Sequence, residues 1–132
     1  ALMANQYSIG LAADQNAGNT AQAYWLNFFN RPAPFVTGPD KGAIRNKTAV
    51  VFVRLIQLKR GRYRFETSII TENASSMPSG ELTRIYRNML EDTIRKQPAN
   101  YLWSHRRWKW DYQSAFEKNW IDVNPAPGAN RA

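Results

Sequence analysis

The clearest pattern of apolar and polar positions in the 132-residue chain runs from Glu81 to Lys96. Its apolar side chains recur every three or four residues, as on one side of a helix: Leu82, Ile85, Tyr86, Met89, Leu90 and Ile94. Arg95 and Lys96 suit the last turn of a helix, and Pro98 stops it. The pattern predicts an amphipathic helix over 81–96.

The preceding residues predict a β-hairpin. The run from Ala49 to Lys59 is almost continuously apolar, which is typical of a strand covered on both faces. Arg60-Gly61 permits a tight turn. Residues 62–71 then alternate between apolar and polar side chains, which predicts a half-exposed partner strand.

The N-terminal part is expected to supply one strand and two helices. Residues 7–13 are mostly apolar and predict a buried strand, and the polar residues 14–16 follow its end, where sites collect in parallel α/β sheets. Thr20 suits the cap of a helix that reaches Asn30. Pro39 suits the start of a short helix over 40–47.

Residues 101–110 concentrate three of the five tryptophans, the only histidine and three basic residues. Read as a helix, the stretch has one face for the core, formed by Tyr101, Leu102, His105 and Trp108. Residues 1–6 read as the end of a helix cut in mid-domain. The order of elements predicts an α/β or α+β domain over 1–122, the last part of a larger sheet protein, with a disordered tail over 123–132.

Composition narrows the classes of function. The formal net charge of +8 predicts an anionic partner, which is a nucleic acid, a membrane surface or a phosphorylated ligand. The chain has no cysteine, which excludes disulfides and thiol nucleophiles, and one histidine, which excludes a multi-histidine metal site within one chain. No apolar run reaches the roughly 20 residues of a membrane span.

Two groups of basic residues are candidate binding sites. Arg106, Arg107 and Lys109 form the first, and the second lies along the predicted hairpin, at Arg54, Lys59, Arg60, Arg62 and Arg64. The guanidinium group of arginine binds phosphate in bidentate geometry. A solvated surface explains either group equally well, so both interpretations stay open.

Asp14 and His105 are candidate catalytic residues. At the end of a strand, Asp14 could orient a catalytic group, although an Asx turn is the simpler interpretation. Ser104 and His105 diverge on a helix and cannot form a nucleophile pair. We interpret His105 as a packed, hydrogen-bonded histidine, because no suitable partner for general-base catalysis follows it.

Several segments resemble, in the same order, the lipid A biosynthesis acyltransferases, the late lauroyl and myristoyl transferases of Gram-negative bacteria. They are Ala13-Asp14-Gln15-Asn16, Tyr24 to Pro32, Phe35 to Pro39, Lys59 to Tyr63 and Leu90 to Lys109 with its run Tyr-Leu-Trp-Ser-His-Arg-Arg-Trp-Lys. These segments most closely resemble the sequences of Bacteroidetes-type members of the family. The ordered set covers most of residues 7–109 and is more specific than any one of its pieces.

The resemblance implies an α/β sheet with flanking helices, like that of glycerol-3-phosphate acyltransferase. It also implies transfer of a fatty acyl chain from acyl carrier protein to a hydroxyl of a lipid A precursor, at the cytoplasmic face of the inner membrane and without a cofactor. Asp14 would then support the active site. Arg106, Arg107 and Lys109 would contact the acidic substrate or an anionic membrane surface.

The family's catalytic motif, a histidine followed five residues later by an acid, is missing from the chain. The fifth residue after His105 is Trp110, and Asp111 comes one residue too late. The resemblance therefore implies a C-terminal part that has no activity alone. The competing interpretations are a basic, aromatic-rich module that binds nucleic acid or anionic lipid, with nucleic acid less favoured, and a fragment that associates with itself.

Overall fold

The computed structural model describes residues 7–128, which form two β-hairpins, two helices and three short 3₁₀ turns. The elements are β1 (Tyr24–Phe28), β2 (Arg31–Phe35), α1 (Gly38–Asn46), β3 (Val50–Lys59), β4 (Arg62–Thr71) and α2 (Glu81–Lys96). The 3₁₀ turns are Ala74–Ser76, Pro98–Asn100 and Ser114–Asn119. Hairpins and helices thus alternate along the chain, and the predicted α/β class is confirmed.

Both sheets are two-stranded and antiparallel. Strands β1 and β2 form the first, and β3 and β4 form the second. Helix α2 packs between them. On one side it completes the main core with the first hairpin, where the buried side chains are Leu26, Phe28, Ala33, Phe35, Leu90 and Ile94. On the other side Tyr86 of α2 meets Phe52 of β3 edge to face, with ring centroids 5.7 Å apart.

Helix α2 and the β3–β4 hairpin confirm the predictions from the sequence. The helix has the predicted bounds, and the hairpin turns at Arg60-Gly61. Helix α1 is also confirmed, with bounds that differ slightly from the predicted ones because Lys47 leaves the helix in the left-handed conformation. The prediction that β3 is covered on both faces is wrong, since Val51, Val53 and Leu55 are about half exposed.

The helix predicted over 20–30 is wrong, because this segment contains β1 and the turn into β2. Phe29 and Asn30 have φ angles of 51° and 60°, as in the two-residue turns that suit a hairpin. Glu91 of α2 accepts a hydrogen bond from the Phe29 backbone N–H at 2.7 Å. Contact with a helix that is distant in sequence thus fixes a turn that the local sequence does not indicate.

Two further predictions are wrong. Residues 7–13 are not a strand, and Ile9 and Leu11 are largely exposed, because no described strand pairs with this segment. Residues 101–110 are not a helix but a series of turns. There Trp108 stacks on Phe28 of β1, with ring centroids 5.7 Å apart. Packing against the first hairpin, rather than helical hydrogen bonds, thus sets the conformation of this segment.

The C-terminal part of the described chain returns to the first hairpin through Asp122. Its carboxylate accepts a hydrogen bond from the Asn27 backbone N–H at 2.7 Å and lies 3.2 Å from the Arg87 guanidinium. Residues 123–128 form turns, with Ala126 buried. The expectations for residues 1–6 and for the end of the tail, 129–132, lie outside the described residues.

We expect Asp122→Asn to lower the free energy of unfolding by about 2 kcal/mol at neutral pH, because a buried charged acceptor is lost. Burial alone would raise the pKa of Asp122, but the backbone N–H of Asn27 and the charge of Arg87 outweigh it, so its pKa is lowered in the folded state. The stabilisation is therefore present above the ordinary carboxyl pKa and lost as pH falls through the folded one.

Urea titrations of both proteins between neutral and strongly acidic pH measure this difference. Plotted against pH, the free energies of unfolding of the two proteins should become equal at the acidic end. The exposed Asp111 supplies the control variant, Asp111→Asn, which should unfold like the unchanged protein. A difference between Asp122→Asn and the unchanged protein that does not change with pH would show that the carboxylate charge is not responsible.

Candidate functional site

Two loops that lie far apart in the sequence are joined by the backbone and the side chain of Asn16. Its backbone N–H donates to Nε2 of His105 at 3.1 Å, and its Nδ2 donates to the carbonyl of Arg106 at 2.6 Å. Its Oδ1 accepts a hydrogen bond from Nη1 of Arg107 at 2.9 Å. Asn16 thus holds the segment that carries Asp14 against the loop that carries the basic residues.

Arg107 is buried, with 1% of its surface exposed. Nη1 also donates to the carbonyl of Pro34 at 2.8 Å, and Cζ lies 4.1 Å from the ring centroid of Phe35. Its Nε and Nη2 have no hydrogen-bond partner among the described residues. Burial lowers the pKa of Arg107 to about 10. The guanidinium therefore lies inside the protein, between β2 and the loop of Asn16.

Asp14 belongs to an electrostatic cluster with Arg107, Tyr86 and Tyr101. The pKa values of both tyrosines are raised, first by burial and further by the negative charge of Asp14, while the charge of Arg107 opposes the shift. Tyr101 Oη has no hydrogen-bond partner among residues 7–128. The cluster combines one carboxylate, one guanidinium and two phenol groups in a partly dry environment.

A cavity of about 800 Å³ lies beside this cluster. It is open to solvent on one side and is lined mainly by residues 7–14, α1, β3 and α2. Asp14, Tyr86 and Tyr101 contribute polar groups to its lining, whereas much of the remaining wall is apolar, including Ile9, Leu11, Val53, Leu55, Leu82 and Leu90. Its volume is within the range of pockets that bind small ligands. The cavity was not predicted, because its walls come from elements distant in sequence.

Arg106 and Lys109 lie on the surface, away from buried Arg107. With Asn16, Gly18, His105 and Trp110 they line a smaller cleft of about 420 Å³. Nζ of Lys109 lies 4.6 Å from the ring centroid of Trp110. The structure thus brings two of the three predicted basic residues together at one opening, with the third behind it as a buried support. Along the second hairpin, Arg54 and Arg64 pair with Glu66 instead.

The lone histidine has a structural contact. Nε2 of His105 accepts the hydrogen bond from Asn16, so this nitrogen is not free to take a proton from a substrate. Among residues 7–128 no group of three His, Cys, Asp or Glu side chains is placed to hold a metal ion. The described helices are all too short or too polar to cross a membrane.

A comparison with protein families identifies the chain. The model of the bacterial lipid A biosynthesis acyltransferases matches residues 1–110. The chain belongs to this family. The matched range includes the whole lining of the large cavity, the loop of Asp14 and the cluster Arg106, Arg107 and Lys109. No curated protein and no solved structure matches the chain.

Membership of the acyltransferase family confirms the resemblance seen in the sequence. The sequence gives no role to Asn16, although it lies in the motif Ala13-Asp14-Gln15-Asn16. Its hydrogen-bond partners are about 90 residues away and could not be inferred from the sequence.

We expect Asn16→Ala to lower the free energy of unfolding by about 2 kcal/mol, because one side chain loses two hydrogen bonds and one of them is to a charged group. Chemical denaturation measures the change. Asn19→Ala is a suitable comparison, since among residues 7–128 the side chain of Asn19 bonds only within its own turn, accepting the backbone N–H of Ala21. Equal losses in the two variants would show that Asn16 does not join the two loops.

Proposed function

We propose that this chain is the C-terminal part of an enzyme that transfers a fatty acyl chain from acyl carrier protein to a hydroxyl of a lipid A precursor. The proposed place of the reaction is the cytoplasmic face of the inner membrane. Family membership supports the acyltransferase reaction. The observation that carries the finer proposal is the largely apolar cavity with Asp14 in its wall.

An acyl chain is the ligand that the cavity suits best. Its lining exposes aliphatic side chains from β3, α2 and residues 7–14, and burying hydrocarbon against them removes apolar surface from water. Each buried methylene contributes about 0.8 kcal/mol. A dozen fully buried methylenes would then contribute about 10 kcal/mol, which is comparable with the cost of the freedom lost on binding. The polar cluster of Asp14, Tyr86 and Tyr101 suits the carbonyl end of such a chain.

Asp14 supports the site in this proposal, and the general base comes from elsewhere. Asn16 fixes the loop on which Asp14 lies, because its Oδ1 accepts a hydrogen bond from the buried Arg107. The histidine and acid of the family's catalytic motif would be supplied by sequence outside residues 1–132. The chain by itself would then have no acyltransferase activity.

Arg106 and Lys109 would contact the acidic groups of the lipid A precursor. Both are exposed and line the same cleft, and phosphate is the group that such cations bind most readily. Arg107, which we also expected at this contact, would act by holding Asn16 and the strand β2 in place. The two exposed cations and the buried one would then serve one site in different ways.

An acyl-transfer assay with acyl-acyl carrier protein and a lipid A precursor tests the proposal. Residues 1–132 alone should be inactive, and the complete native gene product should be active. In that product, Asp14→Asn should lower kcat by about a hundredfold, whereas Asp111→Asn should not change it. Activity of residues 1–132 alone, or full activity of the Asp14→Asn variant, would contradict the proposal.

A further inference from the structure

The end of the β3–β4 hairpin carries an unusual combination of exposed apolar and basic side chains. The two strands are joined by Arg60-Gly61, where Gly61 has a φ angle of +72° that a side chain would strain. We call residues 55–65 the hairpin tip. Within the tip, Gln57 forms a pair of hydrogen bonds with Gln97, the residue that follows the end of α2.

Large apolar side chains of the hairpin tip are exposed to solvent. Leu55 and Phe65 are directly opposite each other on the two strands and are 45% and 73% exposed. Tyr63, two residues from Phe65 on the same face, is 53% exposed, and Leu58 is 55% exposed. Contiguous exposed apolar surface of this kind marks a binding surface more often than chance.

The basic residues at the same place have no compensating charge. Lys59, Arg60 and Arg62 are exposed, and none of them forms an ion pair with residues of the described chain. Lys59 lies directly opposite Arg62 in the register of the hairpin, an arrangement that is unfavourable unless an anion lies nearby. An anionic partner with an apolar interior would relieve both features together.

We propose that the hairpin tip docks on an anionic lipid surface. Leu58, Tyr63 and Phe65 would enter the interface between headgroups and acyl chains, and Lys59, Arg60 and Arg62 would contact the headgroups. The choice of lipid rests in part on the proposed function, and it deepens it by naming the contacting surface. In this arrangement Arg106 and Lys109 remain for the substrate.

Other partners fit the hairpin tip less well. A second copy would bring the same three cations against each other. Nucleic acid is bound through phosphates and through stacking on aromatic rings, so it gives no role to Leu58. Lipid uses both the aliphatic and the cationic side chains.

Flotation of residues 1–132 with vesicles of phosphatidylcholine, with and without phosphatidylglycerol, tests the proposal. We expect binding to the anionic vesicles that weakens with salt and little binding to the neutral ones. Replacing Leu58 and Phe65 with serine should weaken binding by about tenfold, and so should replacing Lys59, Arg60 and Arg62 with glutamine. Circular dichroism checks that both variants remain folded.

Matched controls lie elsewhere on the surface. Val123→Ser removes another exposed apolar side chain, and the glutamine variant of Arg45, Lys47 and Lys118 removes the same number of charges. Both should bind like the unchanged protein. Equal binding of tip and control variants would overturn the proposal, as would sedimentation showing that the tip joins two copies, or binding to oligonucleotides instead. None of these results depends on acyl transfer, so the reaction is tested separately.

Discussion

Asp40→Ala is expected to lower the free energy of unfolding by about 3 kcal/mol, because it removes a buried charged acceptor. Asp40 is 1% exposed and lies in the first turn of α1. Both of its carboxylate oxygens accept the backbone N–H of Gly80, at 3.0 and 3.1 Å, where α2 begins. Tyr24 of β1 donates its hydroxyl to the same carboxylate at 3.4 Å.

One buried carboxylate therefore joins both helices and the first hairpin. Alanine would leave the N–H of Gly80 buried without a partner and would remove a negative charge that complements the dipole of α1. Denaturation with urea measures the loss. Asp111→Ala, at an exposed position, should change stability by less than about 0.5 kcal/mol. A similar small value for Asp40→Ala would show that Asp40 does not join these elements.

Arg107→Ala is the second substitution with a large expected effect, again a loss of about 3 kcal/mol. It would empty the space between Phe28 and Phe35 and leave the Pro34 carbonyl and Asn16 Oδ1 without their donor. Arg107→Lys should also be destabilising, because an ammonium group cannot stack flat on a ring as a guanidinium does.

The neighbouring arginine is the natural control for Arg107. Arg106 is exposed and lines the cleft, so Arg106→Ala should leave stability within about 0.5 kcal/mol of the unchanged protein. Thermal and urea unfolding of the two variants measure the contrast. Equal stability of the two variants would contradict the separation of a buried support from a surface contact.

The elements that could be predicted from the sequence are those whose signals are local. Helix α2 has a regular apolar stripe and a proline after its end, and β3 and β4 are joined by a glycine turn. The first hairpin has no such signal, because the aromatic run of β1 fits a helix and a buried strand equally well. Its turn at Phe29-Asn30 depends on Glu91, 62 residues further along the chain.

The candidate site was predictable only in part for the same reason. Family resemblance pointed to Asp14 and to the basic residues near the end of the match. It could not predict that Arg107 turns inward, since its partners Pro34 and Asn16 are 73 and 91 residues away. The cavity likewise depends on how α1, β3 and α2 meet, which no stretch of sequence encodes alone.

Binding of dodecanoic acid to residues 1–132, measured calorimetrically below the micelle concentration, tests the central claim that the cavity holds an acyl chain. The prediction is saturable binding that Gly42→Leu weakens by about tenfold or more, or about 1.4 kcal/mol. Gly42 lines the cavity, and a Cβ atom there would meet no atom within 4 Å, so there is room for a leucine side chain to begin filling the cavity. Ala115→Leu, on the exposed surface, is the control. Binding that does not saturate, or that Gly42→Leu leaves unchanged, would contradict the account.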